Sequence, residues 1–320
     1  MKILMLISAL ELGGAETHVA TLARSLKERG HQVFVASGGG ALADELAREG
    51  IKQIKLDLSS HSPIKLLFSR LKLNRLQKRY SFDLLHAHSR IAALLAHSVS
   101  KRRRIPLVTT VHAKFRTSPL LKRVSRWGTL SISVSEDLKQ YLCEEYGVLS
   151  DNVYVIPNGI DTDRFSRKQE PSEKEFRIVF VSRMDKDCSL GAFWLCRIAP
   201  MLCKRIVGLR IILCGGGDEL ESLKKEAQRI NKTIGRECVE LAGRLDDVRS
   251  ALEGAHLFVG VSRAALEAMS MELPVVLCGN EGFFGELRED NFMRAMSGNF
   301  CARGEKAGSP KELFTEIMKV

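Results

Sequence analysis

The 320-residue chain has no apolar run near the roughly 18 residues that a membrane-spanning helix needs. Its opening, MKILMLISALELGG, is apolar only briefly and lacks a small-residue cleavage site, so it reads as a first strand and not a signal peptide. Eight cysteines, Cys143 to Cys301, include no C-x-x-C pair, and no histidine cluster keeps metal-ligand spacing with them. That pattern suits scattered thiols in a reducing cytoplasm, with no disulfide framework and no metal site. There is no G-x-G-x-x-G, so a nicotinamide-type fingerprint is unsupported. Short-period repeats and low-complexity tracts are also missing. Acid is scarce in one region: positions 51–126 hold 18 Lys and Arg against 2 Asp and Glu.

That local shortage of acid produces the net charge of +11. Residues 1–150 carry 24 basic against 12 acidic side chains, and residues 151–320 carry 25 against 26. The excess favours a polyanionic partner, an acidic membrane surface or a nucleic acid. Few aromatics interleave with the basic residues and no recognition motif is evident, which argues against nucleic acid.

The length exceeds what one core usually holds, so two domains are expected. Short apolar runs alternate with helix-periodic stretches: KILMLIS, HQVFVAS, IKQIKL, FDLLHAH, PLVTTVH, LSISVS and NVYVIP read as strands. The polar segment PNGIDTDRFSRKQEPSEKEF, residues 157–176, reads as a linker. The alternation then restarts with FRIVFVS, GLRIILC, VELAG, HLFVG and PVVLCG. This is the pattern of βαβ units and parallel sheets, and it predicts two Rossmann-like domains, 1–166 and 167–320. Ligands of such sheets bind beyond the carboxyl ends of the strands, and a cleft between two such domains is the default site.

The loops at those strand ends carry the candidate chemistry. Gly13 and Gly14 in LELGGAE suit either a close ligand approach or a plain tight turn. His112 ends PLVTTVH, where an imidazole orients a sugar hydroxyl, polarises a reacting group or merely packs. His86 and His88 read as packing and loop-bracing residues. Arg183 and Lys186 in VSRMDKD suit a diphosphate, because guanidinium binds phosphate oxygens in pairs. Gly215 and Gly216 in CGGGDE leave room for a base or ribose, or simply turn the chain; Gly243 and Arg244 occupy AGRLDD. In VGVSRAALEAM, Ser262 reads as an N-cap, followed by Arg263. Glu267 is either a ribose acceptor or a solvent-facing helix residue.

Taken in order, GGAETHVATLARSLKERGHQV, FDLLHAHS, VIPNGIDTDRF, VSRMDKD and ALEAMSMELPVV resemble glycosyltransferase family 4, of the α/β GT-B fold, over essentially the whole chain. The resemblance implies two Rossmann-like domains whose parallel sheets face each other across a cleft. It implies retaining, metal-independent and cofactor-free transfer from a nucleotide-sugar donor bound by the second domain to an acceptor bound by the first. Gly14 then lies near the donor phosphate, His112 near the donor sugar, Arg183 on the diphosphate and Glu267 on the ribose. Three departures stand out. The family's lysine five residues after the arginine is Cys188, the first glutamate of its E-x7-E pair is Val259, and the sequence stops at Val320, before the helices that usually follow. Lys186 substitutes for the lysine only along a different loop path, and Ser262 and Arg263 stand where the longer acidic loop would be.

The basic region gains a role from this resemblance. IKLLFSRLKLNRLQKRY places Lys65, Arg70, Lys72, Arg75, Lys78 and Arg79 at helical spacing, and Arg102, Arg103 and Arg104 follow in KRRR. The pattern fits docking on an anionic leaflet at the inner face of the cell membrane, with a glycan or lipid-linked acceptor from cell-surface polysaccharide or glycolipid synthesis. It also fits a helix that packs its leucines on the sheet. Two rival functions share the fold: a nucleotide-sugar 2-epimerase, and a degenerate transferase kept as a binding or scaffold partner.

Overall fold

The computed structural model describes residues 1–320 apart from Leu12, Arg116 and Asp246. Two of these fall in the candidate loops LELGGAE and AGRLDD, so those loops lie partly outside the described residues. The chain forms two compact units, Met1–Gly159 and Ile160–Val320.

The first unit alternates strand and helix throughout. Its elements are β1 (Lys2–Leu6), α1 (Gly14–Glu28), β2 (Gln32–Ser37), α2 (Ala41–Arg48), β3 (Lys52–Lys55), α3 (Pro63–Tyr80), β4 (Leu84–Ala87), α4 (Arg90–Arg103), β5 (Leu107–Val111), α5 (Pro119–Val124), β6 (Leu130–Ser133), α6 (Glu136–Tyr146) and β7 (Val153–Val155). The seven strands pair in parallel in the order β3-β2-β1-β4-β5-β6-β7. Both faces are covered, so the central strands β1, β4 and β5 are buried at most positions and not at alternate ones. Along β1, Ile3 and Met5 enter the core beneath α1 and α2, whereas Leu4 and Leu6 enter the core beneath α3 and α4.

The second unit contains β8 (Phe176–Val181), α7 (Leu190–Cys203), β9 (Leu209–Cys214), α8 (Leu220–Ile234), β10 (Val239–Gly243), α9 (Arg249–Leu252), β11 (Leu257–Gly260), α10 (Ser262–Ser270), β12 (Val275–Gly279), β13 (Gly282–Glu286), α11 (Phe292–Ser297) and α12 (Pro310–Ile317). Its order is β10-β9-β8-β11-β12-β13. The same two-sided burial recurs: Ile178 and Phe180 pack with α7, α8 and α12, and Val179 and Phe258 with α9, α10 and α11. The last strand is an exception to the parallel pattern expected from the sequence. β13 folds back antiparallel on β12 after only Asn280 and Glu281, too short a link for a parallel crossover.

The boundary also moves. Residues 160–166, assigned to the first domain by composition, pack with the second. Phe165 is buried against Ala251, Leu252 and Ala268, and its carbonyl accepts from Ser270 Oγ at 2.7 Å. One buried aromatic side chain contributes on the order of 2–3 kcal/mol, which outweighs the polarity of the residues around it.

In each sheet the order reverses once, between β1 and β4 and between β8 and β11. Connections on the two sides of that point run to opposite faces and leave a crevice at the carboxyl ends. Gly215 shows how tightly the second unit is built there. It has φ of +147°, and an added Cβ would lie 1.8 Å from the Ser182 carbonyl oxygen just beyond β8. Gly215→Ala should therefore destabilise the protein by about 2–4 kcal/mol, as strain and overpacking combine. Urea unfolding of the two proteins checks this; a change below about 0.5 kcal/mol would contradict the contact.

Candidate functional site

Four imidazoles crowd the reversal point of the first unit. β1 leads through its loop to α1, whose first turns carry His18; His86 lies in β4, His88 follows it, and His112 follows β5. His88 Nδ1 is 3.2 Å from His112 Nε2, and His18 Nδ1 is 3.0 Å from Asn158 Oδ1. The rings of His18 and His112 meet edge to face at 4.8 Å, and those of His86 and His88 lie 4.1 Å apart. His86 is buried and shares a 2.8 Å hydrogen bond with Thr110 Oγ1. Burial, reinforced by the charge that His18 would carry, pushes the His86 imidazole down to about 3. His88 is likewise held well below its ordinary value, first by burial and then by its histidine neighbours. Both are therefore neutral at pH 7.

The candidate His112 thus belongs to a group. His18 and Asn158 were not apparent from the sequence, and His88 does more than brace a loop. For three of the four histidines the available signal was positional: His86, His88 and His112 lie at the carboxyl end of a strand near the centre of the sheet, whereas His18 is carried on α1. Ring nitrogens of His18, His88 and His112 lie within 4.8 Å of one another, so the trio could hold a metal ion. An incoming ion would have to displace the bonds of His88 to His112 and of His18 to Asn158. Beside this group, Gly13 stands before the first turn of α1 with no side-chain cap. Its φ of −173° is extended backbone open to any residue, so the glycine pair is not required by conformation.

The second unit gathers three candidate loops at neighbouring strand ends. Met184 N donates to Gly216 O at 3.0 Å and Gly215 N to Gly243 O at 2.7 Å, which ties the loops after β8, β9 and β10 together. Asp185 Oδ1 accepts from Asp218 N at 3.3 Å and strengthens that tie. Arg183 is exposed. It bonds Asp185 Oδ2 at 3.1 Å and Cys188 Sγ at 3.3 Å, and it lies 3.7 Å from Asp187 Oδ2. Lys186 and Arg244 are exposed. Asn280, after β12, accepts from Leu190 N and donates to Lys186 O at 3.0 Å each, so it holds the Arg183 loop onto the start of α7. The sequence offered no signal for Asn280.

The Glu267 region departs from the solvent-facing reading and from the N-cap reading of Ser262. Glu267 is no solvent-facing residue: it is 7% exposed and accepts from Arg263 Nε at 3.0 Å. Burial raises its carboxyl above the ordinary range, and the Arg263 guanidinium opposes that shift. Arg263 is buried beside it and not presented outward. Ser262 is no N-cap. It is the first residue of α10, and the preceding cap position is Val261, with no side-chain capping bond. Asn299 Nδ2 bonds the Ser262 hydroxyl at 3.2 Å, and Phe300 O accepts from Ser262 N, which leaves that hydroxyl turned away from a capping role. Val259 lies inside β11, fully buried and paired with Phe180 and Val276. Only Val261 separates β11 from α10, so no loop is there to carry a carboxylate.

Two consecutive Rossmann-like units of this construction define the GT-B class of glycosyltransferase folds. A family model described as Glycosyltransferase Family 4 matches residues 12–164, and one described as Glycosyl transferases group 1 matches residues 175–308. The chain belongs to this glycosyltransferase family. It is 28% identical over 292 residues to a component of the human phosphatidylinositol N-acetylglucosaminyltransferase, covering 83% of this chain and 59% of that protein. It is 26% identical over 302 residues to the phosphatidyl-myo-inositol mannosyltransferase of Mycobacterium tuberculosis, covering 87% of this chain and 77% of that one. Anabaena HepE in complex with UDP shares the fold at a TM-score of 0.72 and 19% identity, over 100% of this chain and 88% of its own.

The neutral His86 has a pH consequence. In the unfolded chain it protonates below about pH 6.5, whereas the folded chain resists protonation down to about 3. Its contribution is therefore complete above 6.5 and is lost as pH falls, at about 1.4 kcal/mol per pH unit. Urea unfolding of the first unit, followed by Trp127 fluorescence in a Trp194→Phe background, should show this slope between pH 6 and 5. His86→Gln should remove the share of the slope that His86 contributes and leave that of His88; an equal slope in that variant would contradict the assignment.

Proposed function

We propose that the chain is a retaining glycosyltransferase that moves a sugar from a nucleotide-sugar donor to a lipid-linked or glycan acceptor. The observation that carries this reading is the tying together of the Arg183, Gly215–Gly216 and Gly243–Arg244 loops at the carboxyl edge of one sheet. Arg183 takes the diphosphate. Its present partners do not prevent this, because exposed ion pairs are worth about 1 kcal/mol or less and exchange readily for a more highly charged ligand. The glycines give a base or ribose room to approach the backbone. Glu267 offers the ribose only those lone pairs that Arg263 leaves to it. HepE, named in complex with UDP, supports a nucleotide in this fold. With no protein nucleophile among these residues, the departing diphosphate is stabilised by Arg183 while the acceptor hydroxyl attacks from the same face. His112, beside the neutral His88, orients a sugar hydroxyl. No metal or cofactor enters this reading.

The first unit carries the features that favour a lipid-linked acceptor and a membrane surface. The two named relatives act, by their names, on phosphatidylinositol lipids. Helix α3 has two apolar faces. Leu66, Leu73 and Leu76 pack on the sheet, whereas Ile64, Leu67, Phe68 and Leu71 form an i, i+3, i+4, i+7 stripe that is 44–68% exposed. Lys65, Arg70, Lys72, Arg75, Lys78 and Arg79 are carried on this helix, and its sequence contains no acid. Arg103 Nε donates to Asn74 Oδ1, so the Arg102–Arg104 run continues the same patch. Apolar side chains ringed by cations fit the surface of an anionic bilayer. Among the described residues no helix is long and apolar enough to cross a membrane, and the protein would hold the bilayer peripherally.

Incubation with labelled nucleotide sugars and lipid acceptors should yield organic-extractable label whose anomeric configuration matches the donor. An inverted product would overturn retention, and epimerised donor without an acceptor would favour the epimerase. Arg183→Ala should weaken nucleotide binding about 10- to 100-fold. Vesicle co-sedimentation should require anionic lipid and fade with salt. Leu67→Ser with Phe68→Ser should lower binding about tenfold or more; equal binding to neutral vesicles would contradict the docking surface.

A further inference from the structure

Two thiols meet in the second unit, away from all the loops discussed above. Cys203 ends α7, and Cys238 stands immediately before β10. They are 35 positions apart, and their sulfurs lie 3.1 Å from each other. That is about 1 Å more than the roughly 2.05 Å of a disulfide bond. Both backbones are anchored. Asn231 Oδ1 accepts from the amides of Cys238 and Val239 at 2.9 Å each, and its Nδ2 donates to Val239 O at 2.8 Å. The Cys238 carbonyl accepts from Ile211 N at 2.7 Å. Cys203 is fixed from the other side, as part of a helix packed on the same apolar core.

The two sulfurs are not equivalent. Cys238 is 1% exposed, and Cys203 is only half-buried. Arg236 lies alongside, donating Nη1 to Leu209 O at 2.9 Å and Nη2 to Cys203 Sγ at 3.6 Å. Burial, then the adjoining Cys203, pushes the Cys238 thiol up to about 12, so it stays protonated and waits. An oxidant from solvent meets Cys203 first.

We propose that Cys203 and Cys238 form a dithiol site that hydrogen peroxide converts to an intramolecular disulfide. The Cys203 sulfur, as thiolate, attacks one peroxide oxygen; the O–O bond breaks, hydroxide leaves, and Cys203 becomes a sulfenic acid. Cys238 sulfur then attacks Cys203 sulfur. The S–O bond breaks, the S–S bond forms, and the departing hydroxide takes the Cys238 proton as water. Overall two thiols and one peroxide give one disulfide and two waters; the sulfurs are oxidised and the peroxide oxygens reduced. The bond staples the end of α7 to the start of β10 and stiffens the second unit by closing a long loop. Cys188, also half-buried, lies against Arg183 and not against a second thiol at this distance, and it serves as an internal comparison.

The test treats the full chain with a few equivalents of hydrogen peroxide, without nucleotide, and maps its peptides by mass spectrometry under non-reducing conditions. The expected result is one peptide pair joined through Cys203 and Cys238, lighter by two hydrogens and separated by dithiothreitol. Its yield should fall to background in Cys203→Ala, a change at a half-exposed helix end that spares the buried partner. Unlinked peptides would overturn the proposal, with Cys203 carried on to sulfinic acid and Cys238 still a thiol. So would a linkage that joins either cysteine mainly to another thiol. Neither outcome depends on glycosyl transfer.

Discussion

The reversal of strand order at the centre of each sheet is the constraint on which the rest of the structure depends. A parallel strand returns only through a crossover, and crossovers on the two sides of the reversal must cover opposite faces. At that point no connection crosses the strand ends, and side chains from loops far apart in sequence converge. In the first unit this brings together His18, His88 and His112. In the second the loops after β8, β9 and β10 lie next to one another on one side of the reversal, with α10 beginning across it.

The two sites use burial differently. His86 and His88 are neutral because they are shielded from water, and a neutral imidazole can accept or donate at pH 7 without bringing charge to a sugar. Arg183 lies in the open with carboxylates that it can exchange at little cost. Arg263 and Glu267 are the reverse case. Their pairing inside α10 compensates two buried charges, and removing either partner would be expensive. What would otherwise be a ligand-facing carboxylate is thereby committed in part to the fold.

Much of this architecture was legible in the sequence, because fully buried parallel strands leave continuous apolar runs and the helices between them keep their period. The runs KILML and FRIVFV became β1 and β8. β13 was not legible: GFFGE is short, glycine-flanked and joined to β12 by two residues, which resembles loop composition. Phe165 misled the boundary because one buried ring in a polar segment outweighs its neighbours. The glycine turns and Arg183 could be placed from their positions after strands. The commitment of Ser262 to Asn299 could not, since the partners are 37 residues apart. The same holds for His18, which meets Asn158 across 140 positions. The basic character of α3 was plain from composition. Its second apolar face became visible only when Leu73 and Ser69 proved to be the buried side.

The central claim is that the second unit holds a nucleoside diphosphate at the carboxyl edge of β8, β9 and β10. Thermal unfolding against a panel of nucleoside diphosphates and their sugar conjugates tests it most directly. A ligand at a hundred times its dissociation constant adds about 2.7 kcal/mol. The account predicts a raised transition with one nucleotide base, altered further by one attached sugar, which would identify the donor. Unchanged unfolding with every nucleotide and nucleotide sugar would contradict it.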